Sequence, residues 1–115
     1  MISTIMISYL GDYPGARSNP EQKFIRAVDS FINQTIGSQN SELVIVSDGC
    51  EKTNNLYDMN YKDVDNIQLI KKPKARKGIF PGSYRQEAIN NAKFEYITYL
   101  DSDDFFLPNR LELVY

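Results

Sequence analysis

The sequence has 115 residues, of which 42% are hydrophobic and 24% charged, a composition typical of a folded globular domain. At this length a chain buries about two-thirds of its surface on folding, so a core forms without a stabilising metal or disulfide. The formal net charge of −2 excludes a strong overall attraction to nucleic acid or to an acidic membrane. We therefore expect a single domain over residues 1–115, with no nucleic-acid partner.

Histidine is absent and Cys50 is the only cysteine. An internal disulfide is thereby excluded, which suits a reducing compartment, and we interpret Cys50 as structural. Without histidine, any catalysis depends on carboxylates, lysine, tyrosine or a hard cation. The N-terminus lacks a basic start and a cleavage site, and no apolar run reaches the ~18 residues of a membrane span. We expect a cytoplasmic protein, with any membrane association peripheral and mediated by regions outside these residues.

The first predicted elements are a strand and a helix. Ser3 to Tyr9 form a short β-rich run, and a loop rich in glycine and proline follows. Asn19 is the predicted N-cap of a helix, with Pro20 in its first turn and Gln22 as the partner in a capping box. The apolar residues of this helix recur at helical spacing and are predicted to pack in the core: Phe24, Ile25, Val28, Phe31 and Ile32.

The rest of the chain alternates strands and helices. Residues 42–49, "ELVIVSDG", form a continuous apolar run that ends at Asp48, which is typical of a parallel strand buried on both faces. A short helix is predicted within residues 50–66, a third strand over 67–70, a helix around 84–92, a fourth strand at "YITYL" and a last helix from Asn109. This alternation predicts an α/β fold with a Rossmann-like, mostly parallel sheet flanked by helices.

Ligands of such sheets bind outside the carboxyl ends of the strands, which directs attention to Tyr9, Asp48 and Asp101. Asp101 and Asp103 are two residues apart, so in an extended segment their carboxylates face the same side. Oxygen ligands of this kind suit Mg²⁺ or Mn²⁺, with substrate phosphates completing the coordination. The alternative is a solvated turn whose charges favour the N-terminus of the final helix.

Four segments together resemble the glycosyltransferases of family 2, whose nucleotide-binding half has the GT-A fold. "TIMISY" is similar to the first strand of the family, "SFINQT" to a helix end, and "LVIVSDG" to the second strand with its acidic turn. "RQEAINNAKFEYITYLDSDDFFLPNRL" resembles the stretch from an arginine-bearing helix through an acid-x-acid motif. The resemblance covers nearly the whole chain.

The resemblance implies a site for a nucleotide-diphosphate sugar, usually a UDP-sugar, with Mn²⁺ or Mg²⁺ on the diphosphate. By position, Tyr9 would lie beside the uracil ring and Asp48 would accept from the base N3–H. Asp101 and Asp103 would approach the ribose, the metal and the diphosphate, with Asp103 as the direct metal ligand. Arg85 matches the family arginine near the diphosphate.

Within the basic run at residues 71–77, Lys74 or Lys77 would add cationic contacts, or the run is a solvated loop. The chain departs from the family where Ser47 precedes Asp48 in place of a second acid. The acceptor-binding half and the catalytic base are expected after the acid-x-acid motif, outside these residues. The implied reaction is inverting sugar transfer to a glycan or lipid-linked acceptor in polysaccharide biosynthesis, and the alternative is a non-catalytic nucleotide-binding or interaction module.

Overall fold

The computed structural model describes residues 1–10, 18–73 and 81–114. All four strands of its sheet are parallel and follow the order β3-β2-β1-β4, which confirms the predicted α/β fold. Residues 11–17 of the predicted loop after the first strand lie outside the described residues, as do Lys74 and Lys77. The elements in chain order are β1 (Ile2–Ser8), α1 (Pro20–Ile32), β2 (Ser41–Asp48), α2 (Glu51–Asn60), β3 (Ile67–Lys72), α3 (Pro81–Asn91), β4 (Tyr96–Tyr99) and α4 (Arg110–Val114).

Strands β1 and β2 occupy the middle of the sheet. Strand β1 pairs with β2 on one side and with β4 on the other, so Ile2 lies opposite both Ser41 and Tyr96. Every residue of β2 is buried except Asp48 at its end, which is half-buried. Burial on both faces explains why its central residues, 43–46, are continuously apolar.

Helices cover both faces of the sheet, and alternate strand residues point to opposite sides. On one face Met6, Leu43 and Ile45 pack in a cluster with Phe24 of α1 and Leu111 of α4. On the other face, α3 packs against β1 and β2 in a second cluster, whose buried members are Ile5, Val44, Val46, Tyr84 and Ala88. Among the described helices, none has the length and hydropathy needed to cross a membrane.

Two local predictions for α1 are wrong. The helix begins at Pro20 as expected, but Asn19 adopts a left-handed backbone with φ 54° and its side chain makes no capping hydrogen bond. A capping box requires an extended N-cap residue, so the predicted pairing with Gln22 does not form. Ile32 is 44% exposed, because as the last residue of the helix it is rotated ~100° past the buried Phe31.

Candidate functional site

The candidate site lies at the carboxyl edge of the sheet. Strand β1 has β2 and then β3 on one side and β4 on the other. The order in which the strands are added to the sheet therefore changes direction beside β1. A parallel sheet opens a crevice at such a change of direction, outside the carboxyl ends of its strands. Tyr9 follows β1, Asp48 ends β2 and Asp101 follows β4 closely, so the structure brings the three predicted residues to this one edge.

A buried polar cluster joins the ends of β1 and β2 to the start of α2. The thiol of Cys50 accepts hydrogen bonds from the backbone N–H of Leu10 at 3.2 Å and of Thr53 at 3.4 Å, and the second of these caps α2. The hydroxyls of Ser8 and Thr53 share a hydrogen bond of 2.7 Å. Cys50 therefore has the structural role that the sequence indicated.

This cluster fixes the backbone on both sides of Tyr9 and Asp48. Tyr9 lies between the anchored Ser8 and Leu10 and packs, half-buried, against the core. On β2, the Ser47 hydroxyl donates to the carbonyl of Cys50 at 3.1 Å and accepts from the Cys50 N–H at 3.3 Å. Both candidate base-binding residues thus project from backbone that is held on each side.

The acidic segment after β4 is a turn and not an extended strand. The backbone N–H of Asp104 donates to the carbonyl of Asp101 at 3.1 Å, which closes the chain within four residues. The extended backbone expected for Asp101 to Asp103 is therefore wrong, so strand alternation does not fix the relative directions of their carboxylates. We call residues 101–104 the acidic turn; Asp101 is exposed and Asp103 half-buried.

The helix start after the turn uses a different acceptor. In the first turn of α4, the N–H of Leu111 donates to the side-chain oxygen of Gln34 at 2.9 Å. The turn expected in the alternative interpretation, a solvated turn before the final helix, is thus present. The N–H of Leu111 in the first turn of that helix bonds to the Gln34 amide and not to a carboxylate.

Helix α1 and the residues just after it hold the chain after β4 through three polar side chains, which sequence reasoning missed. Arg26 donates to the carbonyl of Asp103 at 3.0 Å, and the hydroxyl of Ser30 accepts from the N–H of Phe106 at 2.9 Å. Gln34 donates to the carbonyl of Leu107 at 2.8 Å. We call Arg26, Ser30 and Gln34 the polar stripe of α1. Arg26 and Ser30 lie one turn apart on the same face of the helix, and Gln34 continues the spacing of four residues just beyond the helix end; this spacing is the sequence feature that indicates a shared partner.

Arg85 projects from α3, whose position is fixed from β3. The hydroxyl of Tyr84 donates to the carbonyl of Pro73 at 2.6 Å. The exposed Arg85 has its guanidinium carbon 5.3 Å from the ring centroid of Tyr99, at the end of β4. The structure therefore directs Arg85 toward the strand that leads into the acidic turn.

The same edge carries a cation that sequence reasoning did not single out. Lys72 ends β3 and forms an ion pair of 3.0 Å with Glu87 of α3. Both side chains are about one-third exposed, so this pair couples the end of β3 to α3 at the site.

An open groove of ~380 Å³ adjoins the acidic turn. Its lining combines Asp101 and Asp104 with the rings of Tyr99 and Phe105, and the volume lies in the usual range of ligand pockets. Within the described ranges no three acidic or cysteine side chains converge on one metal position. Asp101 and Asp103 supply oxygen donors suited to Mg²⁺ or Mn²⁺, but such a partial set needs ligand phosphates and water to complete an octahedron.

Comparison with known proteins identifies the family. The sequence model described as Glycosyl transferase family 2 matches residues 17–115. The chain belongs to glycosyl transferase family 2. The resemblance seen in the strand-end motifs is thereby confirmed.

This family 2 chain is similar to a bacterial poly(ribitol-phosphate) glucosyltransferase and to a bacterial teichoic acid biosynthesis protein. It is 32% identical over 88 residues to a poly(ribitol-phosphate) beta-glucosyltransferase of Bacillus spizizenii, covering 76% of this chain and 14% of that protein. It is 32% identical over 108 residues to the minor teichoic acid biosynthesis protein GgaA of Bacillus subtilis, covering 84% of this chain and 22% of that protein. The chain thus spans less than a quarter of the length of these two relatives.

The fold is that of solved S. aureus TarS structures. The chain superposes on residues 1–349 of S. aureus TarS in complex with UDP with a TM-score of 0.77 at 22% identity, over 98% of this chain and 30% of that one. A second TarS structure, in complex with UDP-GlcNAc, matches with a TM-score of 0.73 at 23% identity, over 98% of this chain and 29% of that one. At these identities the likeness shows the fold of the chain.

Proposed function

We propose that this chain is the donor-binding part of a glycosyltransferase that uses a nucleotide-diphosphate sugar, specifically a UDP-sugar, together with Mn²⁺ or Mg²⁺. The observation that carries the proposal is the convergence of Tyr9, Asp48 and the acidic turn at the switch point of a family 2 sheet. Further support comes from TarS, which has the same fold and was crystallised with UDP and with UDP-GlcNAc.

The base would bind between the ends of β1 and β2. The half-buried ring of Tyr9 offers a flat face on which a pyrimidine can stack. The carboxylate of Asp48 is an acceptor for the N3–H of uracil, which cytosine lacks. Because the backbone beside both residues is anchored, binding would require little additional ordering.

The diphosphate would bind beside the acidic turn. Asp103, with Asp101, would hold the divalent ion, and Arg85 would approach the phosphate oxygens from α3. When bound, the ion offsets the negative charge that develops on the departing nucleoside diphosphate. Arg85 adds a fixed cation whose planar donors match phosphate oxygens.

The acceptor and the catalytic base belong, in this proposal, to the part of the protein that the relatives carry beyond the matched segment. By analogy with the poly(ribitol-phosphate) and teichoic acid relatives, the acceptor is a surface polymer with free hydroxyls. A base there would activate one hydroxyl for direct displacement, with inversion at the anomeric carbon. A cytoplasmic location stays a prediction.

Calorimetric titration of the chain with UDP tests the donor site. We expect binding that requires Mn²⁺ or Mg²⁺, and in Asp103→Asn a loss of affinity of about tenfold or more, since a metal ligand is replaced by a neutral amide. The matched control is Asp65→Asn, the same chemical change just before β3, at the opposite end of the strands; its affinity should equal that of the wild type.

Binding that is indifferent to metal and unchanged in Asp103→Asn would refute the metal-dependent donor site. A thermal-shift screen of nucleotide sugars with Mn²⁺ then selects the sugar, because a ligand of the folded state raises the midpoint. Nucleotide binding without sugar transfer by the complete protein would favour the non-catalytic alternative.

A further inference from the structure

Arg26 makes two contacts with the segment that contains the acidic turn, 77 residues away along the chain. One guanidinium nitrogen donates to the backbone carbonyl of Asp103 at 3.0 Å. The guanidinium carbon lies 4.7 Å from the ring centroid of Phe105. A planar guanidinium can donate in its plane and stack through its face at once, which a lysine ammonium cannot do.

The helix that carries Arg26 is a fixed support. Phe24, Ala27 and Val28, which surround Arg26 in sequence, have no exposed surface. Ser30 and Gln34 of the same polar stripe hold Phe106 and Leu107 directly after the turn. Arg26 is the member of the stripe that reaches the turn itself, so it connects α1 to the backbone carbonyl directly after the Asp103 side chain.

We propose that Arg26 is a positioning residue for the acidic turn. Through the Asp103 carbonyl and the Phe105 ring, it sets the positions at which the Asp101 and Asp103 carboxylates meet the metal. This inference rests on the proposed function. Because a pair of carboxylates forms only part of an octahedral shell, their placement governs how well ligand oxygens complete it.

The first test needs no ligand and follows amide hydrogen exchange by NMR. In Arg26→Ala we expect the Asp104 amide, which closes the turn, to exchange about fivefold faster, as for the loss of one hydrogen bond. The Ile45 amide in the buried strand β2 should exchange as in the wild type. In Arg26→Lys, which keeps a donor but loses the stacking, the exchange rate of the Asp104 amide should lie between those of the wild type and Arg26→Ala.

The second test titrates Mn²⁺ at saturating UDP. Arg26→Ala should raise the Mn²⁺ concentration for half-maximal binding about fivefold. The control Lys23→Ala removes a positive charge one helical turn away and should leave the Mn²⁺ requirement unchanged, since the role of Arg26 is geometric.

Three results would overturn the assignment. An unchanged Asp104 exchange rate would show that Arg26 does not order the turn, and faster exchange of Ile45 as well would show a general loss of stability. An unchanged Mn²⁺ requirement in Arg26→Ala would show that Arg26 does not position the carboxylates for the metal. If the wild type binds no UDP, the donor-site proposal fails, whereas Asp104 exchange still decides whether Arg26 orders the turn.

Discussion

Replacement of Gln34, just after the end of α1, by alanine should remove more stability than the replacement of Arg26 or Ser30, the other members of the polar stripe. Its amide donates to the carbonyls of Ser30 at 2.9 Å and Leu107 at 2.8 Å and accepts from the N–H of Leu111 at 2.9 Å. Gln34 is only 7% exposed and Leu111 is fully buried, so water cannot readily replace these bonds. At ~1 kcal/mol for each hydrogen bond, we expect Gln34→Ala to lower the free energy of unfolding by about 2–3 kcal/mol.

Urea unfolding followed by circular dichroism measures this difference, provided that the slope with denaturant is unchanged. The control Gln22→Ala makes the same truncation at an exposed position in the first turn of α1 and should change the free energy by less than ~0.5 kcal/mol. A Gln34→Ala variant as stable as Gln22→Ala would refute the conclusion that the polar stripe fastens the chain after β4.

Two further predictions concern buried hydrogen bonds near the site and between helices. Cys50→Ala should cost ~1–2 kcal/mol in urea unfolding, because the N–H groups of Leu10 and Thr53 lose their acceptor, and Cys50→Ser should recover part of this loss through its hydroxyl. Tyr61 donates to Asp29 at 3.0 Å, and burial, followed by the Asp29 charge, raises the pKa of its hydroxyl. A raised pKa stabilises the fold below ~pH 10, and this stability is lost as the pH rises through the folded pKa. In Tyr61→Phe the free energy of unfolding should therefore fall less steeply with pH above pH 10 than in the wild type. An equally steep fall in both proteins would contradict the prediction.

The sheet could be predicted because its residues carry local information. Residues 42–48 read as a doubly buried strand, and the structure buries all of them except Asp48. The spacing of Phe24, Val28 and Phe31 likewise predicts the buried face of α1. Since these patterns depend only on neighbours in sequence, they give the elements and the edge at which Tyr9, Asp48 and Asp101 meet.

The geometry of the acidic turn depends on distant residues and could not be predicted in the same way. The sequence suggested extended backbone at Asp101 and Asp103, whereas the turn is closed by its own hydrogen bond and held by Arg26 from 77 residues away. The capping role assigned to Asn19 failed for a related reason, because its left-handed backbone is not visible in the residue type alone. Composition and spacing identify which side chains are available, but long-range contacts decide where they point.

Strands β1 and β4 are adjacent in the sheet but far apart in the order of synthesis. Strand β1 is made first, yet one of its two partners is β4, with Ile2 paired to Tyr96. During translation, β2 can pair with β1 early. The pairing of β1 with β4 becomes possible only after the ribosome has released more than ninety further residues. The crevice for the donor would consequently be completed late in folding, and truncated nascent chains should bury most of the core before they gain any affinity for a nucleotide.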